Sequence, residues 1–227
     1  RGHGADGAVV TEPTGLAIAT GHKGFEWVEV ETRGRAAHGS RPAEGRDAIL
    51  YMGRVLARLE SVNARLITGP AHPLLGTPSL HASTIGGGRE LSVYPDRCCL
   101  RFERRTLTGE PADVGLMEVQ RALDELREED AAFEGSARQL FSRPAHEIGD
   151  DQPVCRALVQ ALERRGRDAT PTGMSYWTDA SVLGRAGTPA VLFGPSGAGL
   201  HGAEEYVEID SVVTCRDTLV DLARAFC

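Results

Sequence analysis

Between residues 24 and 142 the spacing of apolar residues changes in a fixed order, and that order constrains the fold more than any other feature of the chain. Residues 24–33 set Phe25, Trp27, Val28 and Val30 among glutamates, the pattern of a half-buried strand. Residues 46–62 place Ile49, Met52, Val55, Leu56 and Leu59 three and four apart, as a one-sided helix requires. Strand-like runs follow at 78–86 and 93–106, then a second amphipathic helix at 112–129 (Leu116, Val119, Leu123, Leu126) and a strand at 131–142. Strand, helix, strand, strand, helix, strand is the order of a ferredoxin-like split βαβ unit. Residues 22–142 are therefore expected to form a self-contained α+β domain inserted in something else.

The flanks have another rhythm. Residues 7–12 read as a short buried strand, and 151–165 as a helix with Val154, Ala157, Leu158, Ala161 and Leu162 facing in. A helix beginning near Thr178 leads to the continuously apolar "PAVLF", then "GPSGAGLHG", then a last helix from Asp210 to Phe226. Helices alternating with short apolar strands predict a mostly parallel sheet covered on both faces. The expected class is thus α/β: residues 1–21 and 143–227 form part of a doubly wound domain, interrupted by the ferredoxin-like insert. These pieces supply fewer strands than a doubly wound sheet needs.

Composition narrows the function. A net charge of −7 without a basic cluster speaks against nucleic acid or an anionic membrane as partner. No apolar run approaches bilayer length and no charged-then-apolar leader opens the chain, so a soluble, cytoplasmic protein is expected. Five cysteines, an odd number with no C-x-x-C pair, read as small buried residues of a reduced compartment.

In open α/β sheets, ligands sit beyond the carboxyl ends of the strands. Glu12, after "AVVT", and His201, in the glycine-rich loop after "AVLF", answer that description. A carboxylate and an imidazole at adjacent strand ends can supply two ligands to zinc. Taken singly, Glu12 reads equally well as the cap of a turn, and His201 as a solvated loop histidine. "YWTDAS" offers Thr178 and Asp179, which also suit a helix N-cap. "TIGGGRE" lacks the helix that a phosphate-binding loop needs, and Glu128, Glu129 and Asp130 read as a solvated helix end. His38, in "GRAAHGSRP", falls on a strand-to-helix loop, free to reach a ligand or to do nothing.

Taken in order, "GAVVTEPT", "GHKG", "GRAAHGSRP", "IGGG…VYPDR…ERRTLTGE", "GMSYWTDAS" and "FGPSGAGLHGAEEYVEI" resemble one group. It is the zinc-dependent amidohydrolase and metallopeptidase family of acetylornithine deacetylase, succinyl-diaminopimelate desuccinylase, aminoacylase and carboxypeptidase G. The resemblance runs through nearly the whole chain. It implies a catalytic α/β domain with two metal ions, Zn2+ with Co2+ or Mn2+ as alternatives, and an inserted lid that forms a homodimer. By similarity, Glu12 matches a ligand of one metal and His201 a ligand of the other, with Glu205 orienting His201 from behind. His38 matches the lid histidine that crosses the dimer to hold an oxyanion in the partner's site. Thr178 and Arg105 fall where the family contacts substrate, Arg105 in the region that grips a carboxylate. The chain departs from the family pattern at Ser92, often asparagine, and Thr108, often proline. The family's His-x-Asp motif, bridging aspartate and Glu-Glu pair with its general base lie upstream of Arg1. The resemblance therefore implies hydrolysis of an amide bond in a small N-acyl amino acid or dipeptide, with about half of the site on this chain and little activity from it alone. The alternative is a catalytically inactive dimerisation or binding fragment.

Overall fold

The computed structural model describes residues 4–226. The chain opens with β1 (Ala8–Val10) and β2 (Ala19–His22) and continues through β3 (Gly24–Arg33), α1 (Ala48–Thr68), β4 (Ser79–Gly87), β5 (Arg97–Thr106), α2 (Val114–Glu129) and β6 (Glu134–Arg143). There follow β7 (His146–Glu147), α3 (Pro153–Glu163), β8 (Thr172–Met174), α4 (Ala180–Arg185), β9 (Ala190–Leu192), β10 (Gly197–Ala198), β11 (Tyr206–Val207) and α5 (Ile209–Phe226). Two compact units result. One comprises Phe25–His72 and Gly76–Arg143, the other the chain through Gly24, Pro73–Leu75 and everything from Pro144.

The first of these, the lid, is a four-stranded sheet of order β4-β5-β3-β6, with β3 antiparallel to β6 and β4 to β5. Period-two alternation sends Glu26, Val28, Val30 and Thr32 of β3 inward. Val28 and Val30 meet Met52, Val55 and Leu59 of α1 and Val119, Leu123 and Leu126 of α2 in one core. Each such side chain contributes about 1.5–3 kcal/mol by leaving water. β3 is half-buried as its pattern predicts, and one expectation, that of Ile49, needs correction. Trp27 is 45% exposed on the opposite face, because alternation separates it from Val28. Ile49 is also exposed: the inward stripe of α1 runs Ala48, Met52, Val55, Leu59, Val62, one position round from it, and the helix continues to Thr68.

The two lid helices start differently. Asp47 caps α1 locally, its carboxylate accepting from the amides of Ile49 and Leu50 at 2.9 and 3.0 Å. Asp113 makes no such bond at α2. There the cap comes from β3, where Glu26 accepts from Gly115 N at 2.6 Å and Leu116 N at 3.1 Å. Burial pushes the Glu26 carboxyl above the ordinary range even though these amides and Gln139 favour its charge. Arg104, also fully buried, pairs with Glu110 at 2.8 Å and Glu118 at 3.1 Å.

The second unit is a sheet of order β1-β9-β2-β7, with β8 also on β2. β9 supplies both faces: Val191 and Phe193 pack with α3 and α5, while Ala190 and Leu192 pack with α4. That is why "PAVLF" is apolar throughout. The sheet is mixed, however, where the sequence predicts it mostly parallel. β1 and β9 are parallel, but β2 runs antiparallel to β9 and to β7. The helix near Thr178 begins at Ala180; Thr178 Oγ1 accepts from Ala180 N at 3.2 Å, and Asp179 makes no capping bond. Cys98, Cys155 and Cys215 are buried free thiols and Cys99 is half-buried; Cys227 lies outside the described residues. No helix among the described residues is long and apolar enough to cross a membrane.

Candidate active site

Parallel pairing of β1 and β9, with Val10 opposite Leu192, makes both strands end at the same edge of the sheet. Glu12 lies just past the end of β1 and is exposed. The turn behind it is held by Thr14, whose hydroxyl donates to Ala17 O at 2.7 Å and accepts from Gly194 N at 3.0 Å. Turn-building thus falls to Thr14. Gly194 presses against the Glu12 backbone so closely that a Cβ there would lie 2.0 Å from Glu12 O. Loops from β1 and β9 are therefore locked together.

Beyond β9 the chain makes a small antiparallel hairpin, Gly197 opposite Val207 and Ala198 opposite Tyr206, and its loop carries His201 and Glu205. His201 is exposed and has φ of 59°, a left-handed backbone that costs a non-glycine residue energy. Gly199 just before it has φ of 81° and lets Glu204 O approach to where a Cβ would stand. Zinc takes oxygen and nitrogen donors, usually three or four from protein. Glu12 and His201 are donors of that kind and fit as part of such a set. Among the described residues no three His, Cys, Asp or Glu side chains gather into a complete one.

The "YWTDAS" segment belongs to this unit. Thr178 is buried, with its hydroxyl engaged at the start of α4. Sequence reasoning passes over its neighbours. Tyr176 donates to Pro13 O at 3.0 Å, tying the segment to the residue after Glu12. Its phenol is pushed up by burial and by the Glu12 charge. Trp177 donates to Ser181 Oγ at 2.9 Å and presents its ring edge-on to His22, centroids 6.2 Å apart. His22 and His146 are buried 5.5 Å apart. His22 Nδ1 donates to Lys23 O at 2.9 Å and His146 Nε2 to Ala190 O at 2.8 Å. Burial lowers both pKa values, that of His22 to about 4, so His22 is neutral at pH 7. The signal for the pair was "GHKG" and "PAHE", histidines in strands too short to show alternation.

In the lid, His38 is exposed on a loop pinned at several points. His38 pairs with Val93 as an isolated bridge, Gly39 N donates to Ser92 O at 2.7 Å, and Tyr94 N to Ala37 O at 2.9 Å. Ser40 stands against the ring, Oγ at 2.8 Å from Nδ1 and its backbone N at 3.2 Å. Arg105, at the end of β5, is already paired with Glu103 at 2.7 Å and lies 5.7 Å from the Phe25 ring centroid. Any substrate carboxylate reaching Arg105 would compete with Glu103.

Residues 20–131 match the peptidase dimerisation domain. The acetylornithine deacetylase of Myxococcus xanthus is 29% identical over 223 residues, 97% of this chain and 57% of that protein. The acetylornithine deacetylase of Buchnera aphidicola is 25% identical over 231 residues, 98% of this chain and 58% of that protein. Among solved structures, aminopeptidase PepT from Bacillus cereus aligns over 96% of this chain and 56% of its own, with a TM-score of 0.77 at 17% identity, a likeness of fold. Over residues 20–131 the chain carries the peptidase dimerisation domain, and over nearly its whole length it is similar to these acetylornithine deacetylases. It spans about 57% of the length of the curated relatives it matches.

Proposed function

We propose that this chain supplies the downstream half of a two-metal amide hydrolase acting on a small N-acyl amino acid or dipeptide. The observation that carries the reading is the shared sheet edge, where β1 and β9 end side by side with Glu12 after one and the His201 loop after the other. Glu12 would hold one Zn2+ through a carboxylate oxygen and His201 the other through a ring nitrogen, with Co2+ or Mn2+ as alternatives. When bound, such ions polarise the carbonyl and lower the pKa of water to about 7. Tyr176 and Thr14 fix the turn that carries Glu12, and Gly199 lets the His201 loop close tightly on Glu204 O. Glu205 orients His201, Thr178 braces the helix start beside the substrate, and Arg105 exchanges Glu103 for a substrate carboxylate.

His38 donates to the developing oxyanion in the active site of a partner subunit. The homodimer forms through the lid, whose edge strand β4 pairs only with β5 among the described residues and leaves its other edge open. Cytoplasmic residence is part of the proposal and rests on the unpaired cysteines. A second reading, a non-catalytic dimerisation module, is favoured by one observation: no complete metal-ligand set gathers among the described residues.

The experiment uses a protein of the relatives' full length. Glu12→Ala and His201→Ala should each lose metal and activity together, since each removes a direct donor. His38→Ala should keep metal and lose activity by ~10²–10³-fold, the scale of one oxyanion donor. Mixing His38→Ala with Glu12→Ala should restore activity, because a heterodimer then holds one complete site. No activity after demonstrated subunit exchange rules out action across the dimer. Full metal occupancy in both ligand variants rules out the ligand assignments and leaves the module reading.

A further inference from the structure

A neutral imidazole carries one proton, and the nitrogen that holds it decides what the other edge of the ring can do. A backbone amide can only donate. Ser40 N–H points at His38 Nδ1 from 3.2 Å and favours a lone pair on Nδ1, since two N–H groups facing each other across that gap repel. The Ser40 hydroxyl, 2.8 Å from the same nitrogen, then donates as well. The proton of the neutral ring is left on Nε2, which has no hydrogen bond among the described residues.

We propose that Ser40 is a positioning residue that sets the tautomer of His38, so that the ring presents Nε2–H outward as a donor. This rests on the reading of His38 as an oxyanion donor. The opposite tautomer would aim a lone pair at the developing negative oxygen and repel it. The surroundings keep Ser40 in place. His38 O accepts from Arg41 N at 2.8 Å, closing the turn that contains Ser40, and Gly39 N is held by Ser92 O at 2.7 Å. Gly39 lies so near the turn at Ser92 that a Cβ would sit 3.2 Å from Ser92 O, which a larger side chain would strain. The amide of Ser40 therefore meets the ring from a fixed direction, and its hydroxyl adds a second donor. A serine that merely tightened the turn would hold the backbone without choosing between the two ring nitrogens.

The test reads the ring directly. In this chain labelled with 13C and 15N at histidine, the signals of His38 are identified by their absence from His38→Ala, and its Cδ2, Nδ1 and Nε2 shifts are followed to the high-pH plateau. Wild type should show the Nε2–H form. Ser40→Ala keeps the amide but loses the hydroxyl, and should raise the Nδ1–H fraction several-fold. Ser40→Thr should restore the wild-type ratio. A wild-type ring in the Nδ1–H form, or a Ser40→Ala ratio equal to wild type, overturns the proposal. In a protein of the relatives' full length, Ser40→Ala should lower kcat by about tenfold, the scale of one ordinary hydrogen bond, with KM and metal content unchanged and with recovery in Ser40→Thr. Unchanged kcat in His38→Ala overturns the oxyanion reading, and with it the catalytic meaning of the tautomer. Loss of kcat in His38→Ala beside an unmoved spectrum in Ser40→Ala overturns the role of Ser40 alone.

Discussion

Arg104 of the lid and His22 of the other unit are both fully buried, and opposite means keep them there. Arg104 stays charged between Glu110 and Glu118, and elsewhere in the lid Glu29 is drawn down to about 2, chiefly by hydrogen bonds from Arg101 and then Arg138. His22 has no counter-charge. It stays neutral because burial lowers its pKa to about 4, and the ring beside it, 5.5 Å away, is another buried histidine. The surrounding elements account for the contrast. Arg104 finds its carboxylates on α2 and on the loop before it, and Glu29 finds its guanidinium partners on the neighbouring ten-residue strands β5 and β6. β2 has 4 residues and β7 has 2, too few to offer such positions, so polar side chains are tolerated there only without charge.

Each unit holds one of the two tryptophans, Trp27 in the lid and Trp177 in the other, so each can be followed alone in a Trp→Phe background. The largest effect should come from Arg104→Met, which leaves two carboxylates facing an apolar group. Breaking a buried pair in this way costs about 3–5 kcal/mol. The urea midpoint seen by Trp27 should fall, and an unchanged midpoint would mean that the lid does not depend on paired charge.

Acid should act first on the other unit. Unfolded His22 titrates near 6.5 and folded His22 near 4, so the unfolded state binds more protons between these values and stability falls as pH drops through that window. The whole shift is worth about 3 kcal/mol. Glu29 works lower: its contribution is complete above 4.5 and is lost as pH falls from there to about 2. Urea midpoints at pH 7, 5.5 and 4.5 should therefore fall for Trp177 before they fall for Trp27. His22→Asn should flatten the Trp177 dependence, and an unchanged slope would transfer it to other groups, His146 first. The smallest effect is expected from Glu26→Ala, about 1–2 kcal/mol on the Trp27 transition, because the lost cap is offset in part by relief of a buried carboxyl. A larger loss would make capping a main support of the lid.

The lid was legible because its elements are long. Val119, Leu123 and Leu126 keep helical spacing over several turns, and Val28 and Val30 alternate through a ten-residue strand. β2 was not legible: "ATGH" is buried at all four positions, yet has neither alternation nor a run of large apolar residues. β7, β8, β10 and β11 are shorter still. The pairing of β2 with β7 and β9 reverses the expected strand direction and is tertiary information that no local pattern carries. At the candidate site, Glu12 and His201 stood out as strand-end residues. Tyr176, Ser40 and the buried histidines act through partners distant in the chain or through a backbone amide, and neither leaves a composition signal. Glu26 was hidden among glutamates that look alike in sequence, until alternation turned it inward and its neighbours outward.

The two lid helices also set an order of events during folding. Asp47 lies beside the amides it caps, so α1 can start while the rest of the lid is still unpaired. The cap of α2 is 89 residues away from Gly115 and exists only after β3 has docked. Closing so long a loop costs entropy before any contact is gained. Asp47→Ala should therefore slow refolding, while Glu26→Ala should leave refolding nearly unchanged and hasten unfolding. A helix that takes its first hydrogen bonds from a strand cannot nucleate its own domain, and its appearance marks the point at which the sheet has already closed.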